Sequence, residues 1–149
     1  MSRDTAAEPQ SATLRGLPSR RTTDPGRAAR TKAVDETALA LAHRVVELAS
    51  DKKASDIVLL DVRAQTAMAD YFVICSGASD RQLGAIAEGI IEGAKESGAA
   101  PIGREGVAGS RWVLIDFGSV IVHVMSGPER EFYQLERLWS DASLLLHVL

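Results

Sequence analysis

One cysteine, three histidines and a scatter of carboxylates are the side chains in this sequence that most directly suggest nucleophilic, acid–base or metal chemistry. Cys75, His123 and Asp116 are the residue types of a thiol nucleophile, its base and an orienting carboxylate. No spacing in the sequence brings them together, and a cysteine inside YFVICSG reads as a small buried hydrophobe. His123 lies between Val122 and Val124 in a β-branched run, so its side chain faces away from theirs and reads as a satisfied sheet histidine. Neither His43 nor His147 stands at a spacing that would complete a zinc site with it. The remaining chemical cue is Ser76-Gly77-Ala78-Ser79, a turn entering a helix N-terminus, where backbone N–H groups can hold phosphate. A nucleotidyl-transferring enzyme would also need carboxylates about one residue apart on a strand to hold magnesium. After Ser79 there is no Asp-x-Asp, and Asp80 stands alone in the first helical turn. Helix capping explains the turn, and an enzyme acting on a nucleotide is kept as the alternative reading.

Aromatic residues are scarce and unevenly placed. Trp112, Phe117, Phe132, Tyr133 and Trp139 all lie within WVLIDFGSVIVHVMSGPEREFYQLERLW. Such a concentration marks either an anchor of the core or a docking surface. Trp139, on an amphipathic turn with Leu135 and Leu138, reads as core. Trp112, at a strand start, fits core and interface equally.

The elements that must position these residues follow from periodicity. Leu39, Ala42, Val45, Val46 and Ala49 recur at helical spacing, predicting a helix from Asp35 to about Ser50. IVLLDV, after Asp56, predicts a strand covered on both faces. Gln65 to Ala69 is a connector, and Tyr71 to Cys75 a second strand. From Asp80 to Ser97 the stripe Leu83, Ile86, Ala87, Ile90, Ile91 and Ala94 predicts a helix capped by Ser79 and ended by Gly98. A short strand near Ile102 to Glu105 and a glycine-rich turn precede a hairpin. Its strands are Trp112–Phe117 and Val120–Met125, joined at Gly118-Ser119. Pro128 stops the sheet, and a short helical turn follows. The expected fold class is α/β: a single domain with a mixed β-sheet and packed helices.

Charge separates the chain into two parts. Residues 1–34 carry seven basic against three acidic side chains, net +4, whereas the remainder is net −7. With Pro9, Pro18 and Pro25 and few apolar groups, residues 1–34 are expected to be a disordered basic extension. An organellar transit peptide is the alternative there, although Asp4, Glu8 and Asp24 count against it. Residues 35–142 are the expected domain, and 143–149 a C-terminal tail. An acidic body is a poor direct ligand for nucleic acid and better suited to a basic protein. No apolar run approaches the roughly 20 residues of a membrane span, and the first residues lack the apolar stretch of a secretory signal. A single cysteine excludes an internal disulfide and suits a reducing compartment.

Three blocks in order, ADYFVI with its glycine-serine turn, WVLIDFG with VIVHV, and EREFYQLERLW, resemble the ribosomal silencing factors, or Iojap family, over about residues 36 to 142. The resemblance implies a nucleotidyltransferase-like topology without that chemistry, and no cofactor. It implies binding to large-subunit ribosomal protein fourteen on the face that meets the small subunit. Subunit joining would then be blocked and translation repressed when nutrients are scarce. It also implies a homodimer in the free state; a cytoplasmic location is the simpler expectation, with an organelle the alternative if residues 1–34 are a transit peptide. The partner-binding residues expected from the family blocks are Trp112 as anchor, with Asp70, Tyr71, Asp116 and His123 around it. Glu129, Glu131 and Tyr133 are secondary. An accessory contact of the basic extension with ribosomal RNA is a further expectation.

Overall fold

A computed structural model describes residues 25–106 and 109–149, with side chains from residue 36 onward. In chain order the elements are α1 (Pro25–Asp51), β1 (Ser55–Asp61), β2 (Tyr71–Gly77), α2 (Asp80–Glu96), β3 (Gly103–Glu105), β4 (Trp112–Asp116), β5 (Val120–Ser126), α3 (Gly127–Tyr133), α4 (Leu135–Leu138) and β6 (Ser143–Val148). The strands form one sheet in the order β3-β4-β5-β2-β1-β6. Only β2 and β5 run parallel; the other neighbours are antiparallel, so the sheet is mixed.

Alternation of side chains across the strands gives the sheet two differently covered faces. On one, Ile57, Leu59, Val73, Cys75, Val113, Ile115, Val122 and Val124 pack under α1 and α2, which supply Val45, Ala49, Leu83, Ile86 and Ile90. On the other, Val58, Leu60, Phe72, Ile74 and Met125 pack with Leu135 and Trp139 of the C-terminal segment. The double coverage expected for β1 is present, and Trp139 is core, edge-on to Phe72 at 5.0 Å. Helix α2 starts where capping chemistry dictates: Ser79 Oγ accepts from the Gln82 N–H, while Gln82 Oε1 accepts from the Ala78 N–H. The Gln82 amide also donates to the carbonyls of Lys52 and Lys53, tying the end of α1 to the β2–α2 turn. Close approach of the two long helices uses Gly93, where a Cβ would sit 2.2 Å from Leu48 Cδ2.

Two expected boundaries differ. Helix α1 begins at Pro25, not Asp35, so part of the expected extension is helical; proline fits a first helical turn, where its missing N–H costs nothing. Residues 1–24, which carry the rest of that expectation, lie outside the described residues. The expected C-terminal tail is instead an edge strand, β6, paired antiparallel with β1. Its register shifts between Leu59 and Leu60, which breaks the alternation that would announce a strand.

Candidate functional site: an aromatic face on the sheet

The outer surfaces of β4 and β5 carry Trp112, Leu114, Asp116 and Ile121, all half-buried. They share that face because alternate residues of β4 point to one side, leaving Val113 and Ile115 for the core. The Trp112 ring tilts against Tyr133 of α3 at 4.8 Å and lies 5.9 Å from His123. Its indole Nε1–H donates to His123 Nδ1 at 3.2 Å. An imidazole that accepts on Nδ1 carries its proton on Nε2 when neutral. Burial drives His123 to a pKa of about 4, so the ring is neutral near pH 7 and Nδ1 remains an acceptor there. His123 is 7% exposed and edge-on to Phe72 at 5.3 Å. It belongs to the support beneath Trp112 and not to the surface.

The other expected residues divide in the same way. Asp116 ends β4, and its carboxylate accepts from the Gly118 N–H at 2.7 Å, which shapes the hairpin turn. Asp70 is half-buried at the start of β2, with its backbone N–H bonded to the Ser119 carbonyl at 2.8 Å. Glu129 and Glu131 lie on α3, the first half-buried and the second exposed. Tyr71, expected beside Trp112, is 2% exposed and packs in the cluster beneath α1 and α2. That is the opposite face, because even and odd positions of paired strands separate there. The structure therefore brings Trp112, His123 and Tyr133 into contact, with Asp116 on the same strand face, and separates Tyr71 from them.

Sequence reasoning missed two residues of α3. Arg130 is buried, donating to Ser76 Oγ at 2.9 Å, to the Asp56 carbonyl, and to Glu136 from Nε at 2.8 Å and from Nη2. Phe132, its neighbour but one, is exposed. The available signal was Ser126-x-x-Glu129 with Pro128, which announces a helix start, and Ser126 Oγ does accept from the Glu129 N–H.

The cysteine, histidine and aspartate considered for nucleophilic chemistry are not assembled. Cys75 faces the helices, while His123, paired with its neighbour Ile74, faces the other side. Burial pushes the Cys75 thiol up to about 12, so the thiolate a nucleophile needs does not form near neutrality. Among the described residues no group of three or more His, Cys, Asp or Glu is arranged to hold a metal ion. A cleft of about 520 Å³ does open at the carboxyl ends of the parallel pair, lined by Ser76 to Asp80, Ser126 to Pro128 and Arg111. Two of its turn donors are used internally, Ala78 N–H on Gln82 Oε1 and Gln82 N–H on Ser79 Oγ.

Comparison with known proteins agrees with the family blocks. Residues 35–147 match the family described as "Ribosomal silencing factor during starvation". A ribosomal silencing factor of Bacillus subtilis is 49% identical over 94 residues, 63% of this chain and 80% of its own length. The chloroplastic Iojap protein of Arabidopsis thaliana is 32% identical over 108 residues, 72% of this chain and 45% of its own. A crystal structure from Chromobacterium violaceum, 34% identical, superposes with a TM-score of 0.67 over 68% of this chain and 85% of its own. With the family matched along nearly the whole described domain and the fold shared, the chain belongs to the ribosomal silencing factor family.

Proposed function

We propose that this protein docks its aromatic sheet face on large-subunit ribosomal protein fourteen and sterically blocks joining of the small subunit, repressing translation when nutrients are limiting. The observation that carries the reading is the half-buried Trp112, held in one orientation by a buried neutral histidine and backed by Tyr133. An interface anchor that is already immobilised loses little entropy on binding. Asp116, Asp70, Glu129 and Glu131 surround or flank this face, and residues 35–149 are net −7. A basic ribosomal protein is the complementary surface, and the opposite signs would speed encounter.

A blocker of this kind needs bulk and a docking patch and no catalytic step. In the free state the same apolar face is available to a second copy, so a homodimer would compete with docking. The basic residues 1–34 would add an accessory contact to ribosomal RNA, and a bacterial cytoplasm is the location proposed. No helix among the described residues is long and apolar enough to cross a membrane.

Co-sedimentation with separated large and small ribosomal subunits, followed by a joining assay, tests the proposal. Binding to the large subunit alone, weakened by salt and accompanied by fewer joined ribosomes, is the expected result. Absence of binding at every salt concentration would refute it. Retained binding by Trp112→Ala would remove the anchor while leaving the ribosomal role.

A further inference from the structure

Helix α3 is inside out. Within Gly127–Tyr133 the charged Arg130 is 7% exposed while the aromatic Phe132 is 78% exposed. Residues two apart on a helix project in nearly opposite directions, so turning one inward turns the other outward. Hydrophobic burial alone would choose the reverse rotation, because a guanidinium leaves water only at a high desolvation cost. Here the rotation is fixed by other contacts. Ser126 caps the first turn, Gln134 closes the last in the left-handed conformation at φ 48°, and Arg130 reaches Ser76, Glu136 and the Asp56 carbonyl. The same network holds the segment down on β1 and β2, and in doing so presents Phe132 to solvent.

Phe132 is not an isolated surface aromatic. Its ring is edge-on to Tyr133 at 4.9 Å, and Tyr133 in turn tilts against Trp112 at 4.8 Å. A row of three aromatic rings therefore runs from the sheet face onto α3. We propose that Phe132 is a second anchor of the docking surface, inserted into an apolar recess on the basic protein of the large ribosomal subunit; this rests on the docking reading above. The occupant follows from the surroundings. Glu129 and Glu131 flank the ring on the same short helix, so RNA phosphate would be repelled. A second copy can share the sheet face around Trp112, but at this ring it would bring like carboxylates together across a two-fold axis, so Phe132 itself is matched to the basic protein. A basic protein surface satisfies the carboxylates at the rim while the ring loses water at the centre, the arrangement in which aromatic side chains dominate binding.

The test measures affinity for purified large subunits with the full chain, Phe132→Ala, and Leu144→Ala as an exposed apolar control on the far sheet edge. Phe132→Ala should bind at least about tenfold more weakly, as for a buried interface aromatic, with an unchanged denaturation midpoint, while Leu144→Ala binds as wild type. Unaltered affinity of Phe132→Ala would overturn the proposal. So would an equal loss in both variants, or a loss confined to self-association, which would make a second copy the occupant. Failure of the unsubstituted chain to bind large subunits is a distinct result: it would remove the docking reading and this proposal together.

Discussion

His123 should make the stability of this protein depend on pH in a way that one substitution removes. Burial lowers its pKa from 6.5 to about 4, and no charged partner offsets that effect. In the unfolded chain the ring takes up its proton near pH 6.5; in the folded protein it resists until about 4. Between those values the unfolded state binds more protons, so stability is full above the unfolded pKa and is lost as pH falls towards the folded one. A tenfold change in proton affinity is worth about 1.4 kcal/mol, so the whole window amounts to about 3 kcal/mol. The side chain is buried, so solvent screening removes little of this. His123→Asn keeps a hydrogen-bond acceptor for the Trp112 indole but cannot be protonated in this range. Urea denaturation followed by tryptophan fluorescence, at about pH 7 and about pH 5, compares the two. The parent should lose about 2 kcal/mol more than the variant over that interval. All other groups are common to the two proteins and cancel in the difference. Parallel pH dependences, within about 0.5 kcal/mol, would show that His123 is not a buried neutral acceptor, and the argument for a preset Trp112 would fall with it.

Two glycines of α2 should respond oppositely to alanine. At Gly84 an added Cβ meets no atom within 4 Å, so Gly84→Ala should stabilise by about 0.5–1 kcal/mol through backbone entropy. At Gly93 the Cβ would stand 2.2 Å from Leu48 Cδ2, so Gly93→Ala should destabilise by about 1–3 kcal/mol. Combining it with Leu48→Ala should cost less than the sum of the two, as thermal or denaturant unfolding would report. Arg130→Met should destabilise by about 2 kcal/mol, below the usual loss for breaking a buried ion pair, because Glu136 and Asp56 still reach water; an unchanged midpoint would deny the clamp its role in holding α3. Magnesium-nucleotide should leave the melting temperature unmoved, and a saturable increase would reopen the enzymatic reading of the cleft beside Gly77.

Much of the fold is legible in the sequence because its signals are local. The Leu83-to-Ala94 stripe with the Ser79 cap defines α2 almost to the residue, and IVLLDV announces a strand buried on both faces. Both hairpin strands are visible through Gly118, which adopts a φ of 90°. The start of α1 is not legible, because its first residues, rich in Ala and Arg, lack an apolar stripe. Strand β6 escapes notice because SLLLHV does not alternate, and its place is set by pairing with β1 across most of the chain. At the candidate site, chain order alone can say that Trp112, Tyr133 and the acidic residues belong to one family pattern. It cannot say that Tyr71 faces the helices.

The amino-acid sequence by itself determined the α/β class, most elements, the acidic character of the body and the family, since each follows from neighbouring residue types or their order. Tertiary structure alone decided which aromatic side chains are supported and which are presented. His123 is neutral because the sheet, Phe72 and Trp112 exclude water from it. Phe132 is exposed because Arg130 finds acceptors on β1, β2 and α4, two of them distant in sequence. Desolvation and hydrogen-bond satisfaction depend on what surrounds a group in space, and periodicity along the chain carries no record of that.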